Sequence, residues 1–108
     1  MSPNTVLQGT IDLLVLKVLS RASLHGYGIA GQIKRISQEE LRVEEGSLYP
    51  ALHRMEQSGW IASEWRPAEN GRKARYYRMT AKGRKTLAEQ EERWGRVSRA
   101  VARVLRVA

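Results

Sequence analysis

Two histidines, a run of carboxylates and one glycine-rich string are the groupings in this 108-residue sequence with spacings that suggest catalysis or cofactor chemistry. Gly26-Tyr27-Gly28-Ile29-Ala30-Gly31 spells G-x-G-x-x-G, and Glu44 and Glu45 follow at about the distance of a ribose-binding acid. A dinucleotide turn needs a buried strand before it and a doubly wound sheet around it. The preceding run has helical character and the chain is too short for such a sheet, so these glycines read as a tight turn with close helix packing. His25 and His53 have no cysteine to assist them and no further ligands at suitable spacing. His25 reads as structural. Glu39, Glu40, Glu44 and Glu45 read as a solvated run before a helix N-terminus. No enzyme, metal site or cofactor is expected.

A second set of residues suits contact with a polyanion. Residues 1–65 hold six basic and seven acidic side chains, whereas residues 66–108 hold thirteen and four, which accounts for the net charge of +8. Charge concentrated in one part of a small domain attracts nucleic acid or an anionic membrane surface. The longest apolar run, around Leu13 to Leu19, is interrupted by Lys17 and too short to span a bilayer. The opening residues lack the pattern of a signal peptide, and the absence of cysteine suits the reducing cytosol, so a cytoplasmic protein without membrane attachment is expected.

Five elements must position these groups. Apolar residues from Val6 to Leu19 cover nearly the whole circumference of a first helix. One side of it can face the core and the other a partner subunit, with Leu7, Ile11 and Leu14 as interface candidates. A short helix follows from about Gly26 to Ile36, then a polar connection in which Leu41-Arg42-Val43 can form a short strand. A third helix starts near Gly46–Ser47 and stops at Gly59, with Leu48, Ala51, Leu52 and Met55 as its buried face. Pro50, tolerated only in a first turn, is expected to fix its start. Its opposite face carries Ser47, Tyr49, Pro50, His53, Arg54 and Gln57, side chains suited to a polar, anionic groove. His53 reads either as a groove contact or as a surface residue. Two extended segments, Trp60 to Trp65 and Arg75 to Met79, flank an Asn70-Gly71 reversal surrounded by Arg66, Arg72, Lys73, Arg75 and Arg78. Trp60 and Trp65 are expected in core and hairpin packing. Thr80 then caps a last helix, Ala81 to about Val107.

This order describes a winged helix-turn-helix: mainly α (α+β), with residues 1–80 as the DNA-binding domain and 81–108 as a long dimerisation helix. The third helix would enter the major groove and the hairpin tip would supply cations to phosphates. On the last helix Leu87, Trp94, Val101 and Ala108 recur every seven residues, with Gln90, Val97 and Val104 at the alternate position, the pattern of a coiled-coil seam. Arg96, Arg99, Arg103 and Arg106 form a second stripe away from it. That stripe reads either as a solvated face near a helix C-terminus or as extra phosphate contact.

LQGTIDLLVLKVL, LHGYGIA, VEEGSLYPALHRMEQSGWI and GRKARYYRMTAKGRKTL resemble, in order, successive motifs of PadR-type transcriptional regulators. The resemblance covers essentially the whole chain, and the single last helix resembles the short subfamily. It implies a homodimeric repressor on a pseudo-palindromic double-stranded DNA operator, released by a small-molecule effector. It also implies that the first and last helices pack across the dimer, here through Leu87, Trp94, Val97, Val101 and Val104. Ser47, Tyr49 and Pro50 would stand at the front of the recognition helix, and Arg72, Lys73, Arg75 and Tyr76 in or beside the wing. Trp94, otherwise a dimer-packing residue, would stack on a small planar aromatic effector, for which cationic dyes are a natural probe. Gln90 and Glu91 would orient that ligand.

Overall fold

Ile11, Val15, Leu16 and Leu19 line one side of the first helix and are fully or nearly fully covered by the chain's own core. The computed structural model describes residues 4–5 and 8–107, with side chains from Thr10 onward. Its elements are β1 (Asn4–Thr5), α1 (Gln8–Leu19), β2 (Leu24–His25), α2 (Gly26–Ile36), β3 (Leu41–Arg42), α3 (Glu45–Gln57), β4 (Ile61–Pro67), β5 (Lys73–Met79) and α4 (Ala81–Val107). The winged helix-turn-helix is thus present as a mixed α+β fold. Antiparallel β2, β5 and β4 form one small sheet, in that order, and β1 pairs in parallel with β3.

The helix boundaries follow from local chemistry. His25 caps α2: its Nδ1 accepts the Gly28 N–H at 2.9 Å, which fixes the imidazole proton on Nε2. α3 ends in a Schellman closure at Gly59, whose φ of 80° is left-handed. The Trp60 N–H returns to the Met55 carbonyl at 3.1 Å and the Gly59 N–H to the Glu56 carbonyl at 3.0 Å. Thr80 caps α4 by accepting the Gly83 N–H at 3.0 Å, while its own hydroxyl donates to the Gly59 carbonyl at 2.6 Å. One side chain thereby ties the end of the recognition helix to the start of α4.

Two expectations about helices change. α3 begins at Glu45, so Pro50 sits in its second turn and does not set its start. The proline has no N–H for the Gly46 carbonyl four residues back, and its ring is on the exposed face, where water can reach the backbone. Ile11 is 0% exposed, so it packs inside the chain's own core and offers nothing to a partner. The circumference of α1 is apolar because Ile11, Val15, Leu16, Val18 and Leu19 all face that core, leaving Leu13 and Leu14 half-buried at its edges. Leu7 lies outside the described residues.

The core does not stop at residue 80. Gly83 and Leu87 on α4 are buried in it, with the Gly83 backbone against the Trp60 carbonyl at a distance no Cβ would permit. The boundary drawn at residue 80 therefore falls at a helix cap, between elements that share one core. From Arg99 to Val107 every residue of α4 is exposed.

Candidate nucleic-acid interface

The amphipathic spacing of α3 buries Leu48, Ala51, Leu52 and Met55 and turns Tyr49, Pro50 and His53 outward, with Ser47 half-buried at the edge. Tyr49, 46% exposed, lays its ring against the first residue of α2; a Cβ on Gly26 would stand 2.6 Å from its hydroxyl. A shallow cleft of about 400 Å³ runs from there to the wing, bordered by Tyr27, Tyr49, Trp65, Asn70 and Arg75. Tyr27 (81% exposed) and Trp65 (63%) present aromatic faces beside the recognition helix. Neither was a sequence candidate for this surface, and Trp65 does not pack within the hairpin as expected. The signal available was their position: Tyr27 lies within a glycine-rich helix start, and Trp65 lies two residues before Pro67 at the end of a strand.

The wing loop closes as Asn70 and Gly71 suggest. Gly71 takes φ 81°, and Asn70 Oδ1 accepts the Arg72 N–H at 3.0 Å. Among the described residues Arg72 and Lys73, at the tip, have no acidic partner, whereas Arg66 and Arg75 are engaged. Arg66 donates to Glu64 and lies 5.1 Å from the centre of the Tyr76 ring. Tyr76 also meets the His25 ring edge-on at 5.3 Å, which puts it in a stack across the outer face of β2, β5 and β4. Arg75 is the clearest departure from a phosphate contact. Its guanidinium donates to both Glu56 carboxylate oxygens at 3.1 Å and to the Ser63 hydroxyl at 2.8 Å. Ser63 in turn donates to Glu56 at 2.6 Å. This triangle fastens the wing to α3 and, through the Ser63 hydrogen bond first and Arg75 second, holds the Glu56 carboxyl below its ordinary range.

Arg54, at the edge of the outward face, is likewise held by an acid. Its two terminal nitrogens grip the Asp12 carboxylate at 2.7 and 2.9 Å, across from α3 to α1. That bidentate hydrogen bond raises the guanidinium's already high pKa, so it is a fixed cation at the edge of the outward face, turned back towards α1.

The whole middle of the chain, residues 15–89, matches the model of the transcriptional regulator PadR-like family. The chain belongs to the PadR-like family. A transcriptional regulator of Mycobacterium tuberculosis is 34% identical over 94 residues, covering 87% of this chain and 84% of that protein. A transcriptional regulator from Clostridium thermocellum superposes with a TM-score of 0.81 at 28% identity, covering 89% of this chain and 90% of that one. A PadR family transcription regulator from Clostridium difficile gives 0.77 at 29% identity, over 90% and 99%. The fold and the regulator class of this PadR-like chain are established together.

Beside α3 this PadR-like chain has a second feature, a cleft of about 500 Å³ between α1, α3 and α4. Thr10, Asp12, Arg54, Gln90, Arg93 and Trp94 border it, so the two ligand candidates of α4 open onto one space. Glu91 points elsewhere and pairs with Lys17 of α1 at 3.1 Å. Two guanidinium groups face one carboxylate here, and that carboxylate is already engaged. Arg93, without an acidic partner among the described residues, adds a cation to the cleft lining. Leu87, named for the dimer seam, is only 6% exposed and belongs to the chain's own core. Trp94, Val97, Val101 and Val104 remain between 48% and 63% exposed along one face, continued by Leu105.

Proposed function

We propose that this PadR-like chain is a homodimeric, sequence-specific DNA-binding repressor that works in the cytoplasm without membrane attachment. The observation that carries the reading is the placement of Tyr49, Pro50, His53 and Ser47 on one outward face of α3, beside a wing tip whose Arg72 and Lys73 are free. Side chains on such a face suit base edges in a major groove, and free cations on a hairpin suit phosphates. None of the described helices is long and apolar enough to cross a membrane.

Support for dimerisation comes from the α4 face carrying Trp94, Val97, Val101 and Val104, which continues past the end of the chain's own core. An apolar row of this kind in water is stabilised by a second copy. Residues 81–108 act as the dimerisation element, although their first two turns also complete the DNA-binding domain. A dimer would set two recognition helices about 34–36 Å apart on a pseudo-palindromic operator. The effector is a small planar aromatic molecule stacked on Trp94, with Gln90 as a hydrogen-bond partner. The charge of the cleft favours a neutral or anionic ring.

The test is selection of duplexes from a random pool followed by gel shift. A recovered symmetric motif, bound far more tightly than random DNA, supports the reading. Recovery of no motif contradicts it.

A further inference from the structure

We propose that the outer face of α4 binds the phosphate backbone of a second DNA duplex, so that the regulator bridges two DNA segments. This rests on the reading that α3 and the wing hold the first duplex.

At 100° per residue, Gly83, Leu87, Trp94 and Val97 share the side of α4 that meets the body of the domain. Arg96, Arg99, Arg103 and Arg106 lie about half a turn round from them, facing directly away. Arg54, one turn from Pro50 on α3, meets Asp12 at the cleft that the Trp94 side of α4 also borders, so that side of α4 faces α1 and α3. The stripe therefore points away from the body that carries α3, which leaves it open to a duplex other than the one held by the recognition helix. It is also separate from the apolar row, so dimerisation leaves it open.

The chemistry of the stripe is that of a polyanion contact. α4 is helical through Val107, so the arginines are held in a row. Arg96 is paired with Glu92 at 2.8 Å. Arg99, Arg103 and Arg106 have no acidic partner among the described residues, and no acid follows Glu92 in the sequence. The attraction of cations to a helix C-terminus acts only over the last turn, so it accounts for Arg106 and Arg103 at most. From Arg96 to Arg106 the row is roughly 15 Å long, about the axial length of four phosphates on one strand of duplex DNA. Guanidinium groups at that spacing match phosphates bidentately, which a scattered solubilising charge would not.

The experiment immobilises a selected duplex on beads, adds the full-length protein, then adds a fluorescent random-sequence duplex and measures its capture against salt. The wild type should retain the second duplex. Arg99→Gln/Arg103→Gln/Arg106→Gln, which keeps helix propensity, should leave the footprint on the first duplex unchanged and lose capture. Its log–log salt slope for capture should fall by about 2.7, the loss of three phosphate contacts. The matching Arg→Lys triple should retain capture. Equal capture by wild type and the Gln triple would overturn the proposal, since the two recognition helices of a dimer would then be doing the bridging. So would wild-type capture of nothing while the first duplex is protected. A Gln triple that loses binding to phosphatidylglycerol vesicles but not to the second duplex would also overturn it, in favour of a membrane surface. Absence of any footprint on the first duplex would instead locate the failure at α3 and the wing.

Discussion

Arg54 of the recognition helix is held by Asp12 of α1 through two hydrogen bonds of 2.7 and 2.9 Å. The pair ties the edge of α3, one turn from Pro50, to α1, and both residues border the cleft that Trp94 of α4 also lines. Asp12 is 16% exposed and Arg54 48%, an unequal pair in which the carboxylate is the better covered member.

Breaking that clasp should affect stability more than DNA electrostatics. Asp12→Asn is expected to cost about 1 kcal/mol, after allowance for the solvent around Arg54. Arg54→Gln should leave the salt slope of DNA binding unchanged, because its charge is already held by Asp12. A slope reduced by about one in a binding titration would return Arg54 to the DNA-contact set.

The two wing arginines should separate in the same assays. Arg72→Ala should weaken binding to all sequences alike and lower the salt slope by about one. Arg75→Ala should instead destabilise the fold by about 1 kcal/mol, because Glu56 loses the partner that fastens the wing to α3. Thermal melts beside gel shifts at several salt concentrations distinguish them. A slope change for Arg75→Ala with no change in melting would contradict the triangle.

Glycine positions give a contrast in cost. Gly83→Ala drives a methyl into the Trp60 backbone carbonyl, which cannot swing aside, so a loss of about 3 kcal/mol is expected. Gly26→Ala meets only the outer end of the Tyr49 ring, which can rotate outward. It should cost little in melting temperature and act on DNA affinity through the displaced tyrosine. Similar melting losses for both variants would show that Tyr49 is locked in place.

Glu56 makes stability depend on acid. Its folded-state pKa lies below the ordinary carboxylate value, first through Ser63 and then Arg75. The stabilisation is therefore fully present above the ordinary carboxylate range and is lost as pH falls through that range to the lowered value. Melting curves from neutral to acid pH should fall less steeply for Glu56→Gln than for the wild type. Parallel curves would mean that other carboxylates carry the acid sensitivity.

Helix faces, caps and the wing turn were legible in the sequence because each depends on neighbours a few residues apart. The bounds of α2, the Thr80 cap and the Gly59 stop are of this kind. The rest depended on partners distant in the chain. Arg54 and Arg75 read as free groove and wing cations because Asp12 and Glu56 lie 42 and 19 residues away, beyond any local pattern. Ile11 and Leu87 fit a partner-facing face equally well, and only the packed core assigns them to the chain itself. Pro50 shows the reverse case: a local rule placed it in a first turn, but a helix that exposes that turn to water accommodates it one turn later.

A hydroxyl-radical footprint of the protein on a selected duplex shows directly whether two copies of α3 occupy the DNA. Two protected patches related by two-fold symmetry, their centres one helical turn apart, are the expected result for two recognition helices in successive major grooves. Their loss on replacing Tyr49 and His53 by alanine, with melting unchanged, would assign the reading to α3. Uniform protection without symmetry, or patches indifferent to those two residues, would contradict it.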